Sequence, residues 1–89
     1  MDIVEEGKVV EKHGLVIRIV RDNETYIVQQ TPLNKDGSFD EEQFDVFGGT
    51  VGYSTSEFDT EEQARKFFND ITILNKDRLA ERYPDIWVS

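Results

Sequence analysis

The alternation of apolar and polar residues is clearest over residues 14–31 of the 89-residue chain. GLVIRIVR and TYIVQQT both show the period of two that is typical of β-strands, and both are rich in β-branched residues. In the first of them Leu15, Ile17 and Ile19 share one face, so the segment is predicted to be a half-buried strand. The intervening DNE at 22–24 has turn composition, and together these patterns predict a β-hairpin.

Shorter patterns flank this hairpin. KVVEK at 8–12 predicts a short first strand, and the His13–Gly14 pair that follows it is typical of a turn. On the other side Pro32 is expected to end the hairpin, because proline has no N–H group to donate to a neighbouring strand. The segment 31–42 contains Asn, Asp and Gly and is predicted to be a loop.

The middle of the chain predicts two further strands. QFDVF at 43–47 and TVGYSTSEF at 50–58 have strand-like composition, and the intervening Gly48–Gly49 indicates a turn or a bulge. If these two strands pair with each other, the acidic residues at their ends come close together in space.

The last third of the chain changes to a helical period. One apolar stripe recurs at helical spacing and consists of Ala64, Phe67, Phe68, Ile71 and Leu74. Asp59 or Thr60 is expected to cap the N-terminus of this helix, with Glu62 or Gln63 completing the capping box. Asn75 is expected to end it and to cap a second helix over 76–83, which Pro84 terminates.

These elements predict one compact domain, 1–89, of the α+β class. We expect an antiparallel β-meander of four or five strands, with one or two C-terminal helices packed on one face. The tail contains Trp87, the single tryptophan. Its ring either packs back on the sheet or is an exposed anchor, and the sequence leaves both alternatives open.

The charge of the chain is concentrated in one window. The chain contains 10 basic and 19 acidic residues, a net charge of −9. The segment 36–64 contains no Lys or Arg and contains nine of the acidic residues, namely Asp36, Asp40, Glu41, Glu42, Asp45, Glu57, Asp59, Glu61 and Glu62. Because the other acids and bases balance, this acidic window accounts for the whole net charge.

Several classes of function are disfavoured by the sequence. The chain has no cysteine, so disulfides, thiolate metal sites and cysteine nucleophiles are excluded. It begins without a basic and apolar leader and has no long apolar run, so a cytoplasmic protein without membrane contact is expected. Direct binding of nucleic acid is not expected, because the phosphates repel a protein with this net charge.

Motifs for catalysis or metal binding are also weak. Alignment of Gly37 with the sixth position of a calcium loop places Pro32 first and Gln43 twelfth, where strong oxygen ligands are required, so no metal site is predicted. His13 is interpreted as an exposed turn residue. We therefore expect no enzyme and no cofactor, although a buried pocket around His13 would favour an enzyme.

The acidic window has two interpretations. It keeps the protein soluble, or it is a docking surface for a basic partner, such as a nucleic-acid-binding complex. For docking, the predicted partner-binding residues are twelve side chains of the window, namely Asp36, Phe39, Asp40, Glu41, Glu42, Phe44, Asp45, Tyr53, Glu57, Asp59, Glu61 and Glu62. Phe39, Phe44 or Tyr53 would supply an apolar anchor. Phe39 and Phe44 are also expected to hold the loop on the core and so to fix its carboxylates in place. A different hypothesis is a structural or accessory domain that forms a homodimer, or joins a larger complex, through a sheet edge.

The start of the first helix carries a family resemblance. The residues concerned combine acids, a capping box and an aromatic pair, and they are Glu57, Phe58, Asp59, Thr60, Glu62, Gln63, Phe67 and Phe68. In this pattern the chain resembles small acidic phage-encoded anti-CRISPR proteins. The resemblance implies a non-enzymatic inhibitor, several relatives of which mimic DNA in their charge.

Overall fold

The predicted hairpin is the centre of the sheet. A computed structural model of the chain describes residues 1–87. Strand β2 (Leu15–Asp22) pairs antiparallel with β3 (Thr25–Pro32), and Asp22 lies opposite Thr25, so the connecting turn has two residues. Pro32 is the last residue of β3, as predicted.

The first strand is longer than the sequence pattern predicted. Strand β1 (Asp2–Val10) pairs antiparallel with β2, and residues 11–13 form a single 3-10 turn instead of strand. The register of β1 shifts between Ile3 and Glu5 and again between Glu5 and Lys8. Each shift breaks the period of two, which is why alternation did not reveal the first half of this strand.

The outer edge of β3 is shared by two very short strands. Strand β4 (Asp45–Val46) pairs with Gln29 and Gln30, and β5 (Glu57–Phe58) pairs with Tyr26 and Ile27. The predicted strands at 43–47 and 50–58 were therefore too long, and they pair with β3 instead of with each other. The chain between them leaves the sheet as a loop.

Both predicted helices are confirmed, with the predicted caps. Helix α1 (Glu61–Ile73) begins after Thr60, whose Oγ1 accepts a hydrogen bond from the backbone N–H of Gln63 at 3.2 Å. Helix α2 (Lys76–Arg82) begins after Asn75, which caps it in the same way. The fold is therefore α+β, with an antiparallel sheet followed by two helices.

The main core lies between the sheet and the helices. Its buried members come from both layers and from the C-terminal segment, and they are Val10, Ile17, Ile19, Val28, Phe47, Ala64, Phe67, Phe68, Ile71, Leu79 and Trp87. Trp87 is 7% exposed, and its ring stacks on Phe47 with the centroids 5.3 Å apart. Trp87 is therefore packed on the domain, which decides between the two alternatives for its ring. Of the helices in residues 1–87, none combines the length and the apolar character that crossing a bilayer requires.

The second face of the sheet is covered as well. Val16 and Val20, which project away from the helices, are 0% and 1% exposed, so the prediction of a half-buried β2 was wrong. A Cβ atom added at Gly7 would lie 3.1 Å from Val16 and within 3.7 Å of the rings of Phe39 and Phe44. The loop after β3 thus folds over this face and places its phenylalanines against the sheet.

Candidate functional site

Within the acidic window, residues 36–42 form a loop that is ordered by its own hydrogen bonds; we call it the acidic loop. The Asp36 carboxylate accepts hydrogen bonds from the Ser38 backbone N–H at 3.0 Å and from the Ser38 hydroxyl at 2.6 Å. These bonds stabilise the charged form and lower the pKa of Asp36 below its usual value. Asp40 caps a 3-10 turn over 41–43 by accepting a bond from Glu42 N–H at 2.9 Å.

Two aromatic rings attach the acidic loop to the sheet. Phe39 and Phe44 pack edge to face with their centroids 5.9 Å apart, and both are half-buried. The Arg18 guanidinium on β2 lies 4.1 Å from the centroid of the Phe44 ring, which is cation–π geometry. The Thr31 hydroxyl also donates to the Asp40 carbonyl at 3.3 Å. The rings therefore contact the chain's own sheet, and the charged groups between them remain exposed.

The sheet divides the rest of the acidic window between its two faces. Asp45 lies opposite Gln30, whose position in β3 faces the helices, whereas Glu57 lies opposite Ile27, which faces away from them. Because directly paired residues project to the same side, the two carboxylates point to opposite faces. Glu57 thus shares the face of the acidic loop, and Asp45 does not.

The acids at the start of α1 have a different environment. Glu61 and Glu62 are exposed in the first turn, and Glu61 forms an ion pair with Arg65 at 2.9 Å. Arg65 also lies 3.4 Å from Glu5 of β1. Two acids thus surround one base here, so the charge of Glu61 is partly neutralised within the chain. Asp59 is exposed just before the Thr60 cap.

Tyr53, the third proposed anchor, lies outside the acidic loop. It belongs to the loop between β4 and β5 and is 37% exposed. Its backbone N–H donates to the Thr50 carbonyl at 2.9 Å, which closes a tight turn. Val51 at the tip of this turn is 100% exposed. The most accessible apolar side chain of this loop is therefore one that the sequence did not single out.

A cleft of about 430 Å³ lies at the other end of the sheet, between the hairpin, the β4 segment and the C-terminal residues. His13 lines it and is half-buried, so its interpretation as an exposed turn residue was wrong. Its Nε2 lies 3.0 Å from the Leu74 carbonyl, and its ring lies 5.5 Å from Trp87. The sequence contained no signal for this cleft, because its walls come from segments that are distant along the chain.

The His13 imidazole contacts the backbone at the C-terminal end of α1. A carbonyl oxygen only accepts, so Nε2 is the nitrogen that donates to Leu74. Nδ1 is buried and has no hydrogen-bond partner within residues 1–87. Among the same residues, no group of three or more side chains is placed to hold a metal ion.

In comparisons with protein families, with curated proteins and with solved structures, no match to this chain was found. Function is therefore inferred from the geometry and charge of the chain's own residues.

Proposed function

We propose that this protein is a non-enzymatic binding protein whose acidic loop occupies a basic, nucleic-acid-binding site on a partner protein. The observation that carries the proposal is the construction of residues 36–42. The carboxylates are exposed, while the backbone between them is held by Asp36, by Asp40 and by the packed rings of Phe39 and Phe44. Inhibition of a phage-defence complex of the CRISPR type is the specific form of this role that we propose.

Order in the loop matters for affinity. A flexible acidic segment loses conformational entropy when it binds, whereas side chains on a loop that is already held lose less. Glu41 and Glu42 form no ion pair with any of residues 1–87, so both charges are available to a partner. Carboxylates in fixed positions match the Arg and Lys groups that otherwise hold phosphates.

Because the acidic window is divided between two faces, its carboxylates are expected to contribute to partner binding in two ways. A partner bound to the face of the acidic loop contacts residues 36–42 and Glu57. Asp45, Glu61 and Glu62 lie on the side of the helices and act over longer distances, by increasing the rate of association. Long-range contributions of this kind decrease steeply with ionic strength, whereas contacts excluded from solvent decrease less.

A matched pair of double variants tests the proposal. Glu41→Gln with Glu42→Gln, and Glu61→Gln with Glu62→Gln, remove the same charge from opposite faces. We expect partners captured from host lysate by the wild-type protein to be displaced by excess duplex DNA. We also expect the first double variant to lose at least about tenfold in affinity and the second to lose about twofold. Equal effects of the two variants, or capture that DNA does not displace, would contradict the proposal.

The proposed anti-CRISPR role is tested separately, by an assay of DNA cleavage. When the captured partner is an RNA-guided nuclease, purified wild-type protein is expected to inhibit DNA cleavage by that nuclease. The Glu41→Gln/Glu42→Gln variant is expected to restore most of the cleavage. Capture of a basic partner without any RNA-guided activity would retain the binding function and reject the anti-CRISPR role.

A second candidate function is favoured by the exposed edge of β1. Within residues 1–87 this strand pairs with β2 and with no other, and Ile3 and Val9 are 51% and 43% exposed. A free nine-residue edge is a template for pairing with a second copy or with another protein. Sedimentation distinguishes the candidates, because a homodimer that persists at high salt and is lost in Ile3→Lys supports the edge. A monomer at all salt concentrations rejects self-association.

A further inference from the structure

The cleft beside His13 combines features of a ligand site that is independent of the acidic loop. Its volume of about 430 Å³ falls within the range of small-molecule pockets, about 300–1,000 Å³. One wall contains the stacked rings of Phe47 and Trp87, which are 5% and 7% exposed. Aromatic rings fixed by mutual packing give the cleft a rigid apolar part of its lining.

The polar groups of the cleft have opposite charges. Asp45 of β4 supplies a carboxylate, and Lys76, the first residue of α2, supplies an ammonium group. The two form no ion pair with each other, nor with any other side chain within residues 1–87. Gln30 and Thr50 add an amide and a hydroxyl, both of which donate and accept hydrogen bonds.

From this arrangement we propose that the cleft binds a small zwitterion with an apolar side chain, that is, a free apolar L-amino acid. Its ammonium group pairs with Asp45, its carboxylate pairs with Lys76, and its side chain contacts the surface formed by Phe47 and Trp87. A simple anion is disfavoured by Asp45, and a simple cation by Lys76. A molecule with both charges satisfies both groups, and the apolar wall then selects the side chain.

The position of Trp87 makes the proposal directly measurable. It is the single tryptophan of the chain, so a change in its fluorescence reports events in the cleft. The probes are L-leucine, L-isoleucine, L-valine, L-methionine and L-phenylalanine, each titrated into the 89-residue protein. For the best binder, two analogues remove one charge each: the amide lacks the carboxylate, and the N-acetyl derivative lacks the ammonium group.

Variants at exposed positions complete the experiment. Asp45→Asn retains the oxygen that accepts from Val46 N–H, and Lys76→Gln retains a polar side chain while removing the charge. Glu24→Gln and Lys66→Gln remove the same charges outside the cleft and serve as controls. Thermal unfolding of each variant establishes that it is folded.

We expect a saturable fluorescence change with at least one of the five amino acids. Asp45→Asn, Lys76→Gln and each analogue are expected to weaken binding about tenfold, and the controls less than twofold. No saturable change with any probe up to about 10 mM would overturn the proposal, since that concentration corresponds to an affinity too weak for a specific site. Binding of the two analogues with the same affinity as the parent amino acid would overturn it too. This comparison needs only the wild-type protein, so it does not depend on the folding of any variant.

Discussion

Ser56 and Val28 exchange two hydrogen bonds across the interrupted outer edge of the sheet. The Ser56 hydroxyl donates to the Val28 carbonyl at 2.6 Å, and the Val28 N–H donates to the Ser56 carbonyl at 3.0 Å. The same hydroxyl accepts from Phe47 N–H at 2.9 Å. A single serine, 0% exposed, therefore joins β3 to the ends of both short strands and satisfies backbone groups that the sheet leaves free.

Ser56→Ala tests this junction. The substitution leaves the Phe47 N–H without its acceptor and the Val28 carbonyl without the hydroxyl donor, in a position closed to water. We expect the free energy of unfolding to decrease by about 2–3 kcal/mol, measured by urea denaturation followed through Trp87 fluorescence. Ser54→Ala is the control, because Ser54 is exposed and only its backbone is hydrogen-bonded in residues 1–87. Equal losses for the two variants would show that the hydroxyl of Ser56 is not the cause.

Gly48→Ala tests the exit of the chain from the sheet. Gly48 has a φ of +75°, and a Cβ atom added there would lie 1.9 Å from the Ser54 carbonyl oxygen. Gly52 has a similar φ, +85°, but within residues 1–87 a Cβ atom added there would have no heavy atom within 4 Å apart from those of Gly52 and its two chain neighbours. Gly52→Ala therefore carries only the conformational cost, about 1–2 kcal/mol, whereas Gly48→Ala adds a steric clash of about 1–3 kcal/mol.

The quantity to be compared is the free energy of unfolding of these two alanine variants. We expect urea denaturation to show Gly48→Ala as the less stable of the two. Similar stabilities would mean that the neighbouring loop moves away from residue 48 without cost.

Tyr83 links stability to alkaline pH. Its hydroxyl donates to Asp70 of α1, which is buried and also lies 3.4 Å from Arg82. Burial of the phenol, and secondarily its bond to Asp70, raise the pKa of Tyr83 above its usual value of about 10. Above that pH the unfolded chain loses the proton while the folded chain retains it, so the free energy of unfolding falls as the pH rises.

Denaturation at several pH values above about 10 is expected to show a weaker fall in stability in Tyr83→Phe than in the wild type. At neutral pH the variant is expected to be less stable by about 1–3 kcal/mol, because Asp70 loses a hydrogen-bond donor. Tyr53→Phe, at an exposed tyrosine, controls for the substitution itself. Parallel pH curves for Tyr83→Phe and the wild type would contradict the linkage.

Phe44→Ala tests the attachment of the acidic loop. The substitution removes the ring that lies under Arg18 and against Phe39, so the loop loses its contact with the sheet. We expect a loss of about 2 kcal/mol in stability and faster amide hydrogen exchange at residues 36–42.

The control is Val51→Ala, since Val51 is fully exposed and its truncation removes no packing. Exchange within α1 is expected to be unchanged in Phe44→Ala. Faster exchange throughout the domain would indicate global destabilisation instead of release of the loop.

Local patterns predicted those elements whose residues carry their own signal. The hairpin followed from alternation with turn residues at 22–24, and α1 followed from an apolar stripe behind the Thr60 cap. The second helix was located by the Asn75 cap at its start and by Pro84 after its end. Each of these signals acts over a few residues, through backbone hydrogen bonds and side-chain periodicity, and therefore remains visible in the sequence.

The edges of the sheet were not predictable in the same way. Strand β1 shifts register, and β4 and β5 have two residues each, so neither presents a period long enough to recognise. Similarly, the acidic window is continuous along the chain, but its residues Asp45 and Glu57 project to opposite faces of the sheet. Their orientation follows only from the register in which β4 and β5 pair with β3.

The sequence by itself determined the α+β class, the caps of the helices, and the concentration of the whole net charge between Asp36 and Ala64. Only the tertiary structure decided that Phe39 and Phe44 cover a second buried face, that the acids divide between two faces, and that a cleft forms beside Trp87. The physical reason is that charge and periodicity belong to neighbours along the chain. A covered face or a cleft is formed by residues that only folding brings together.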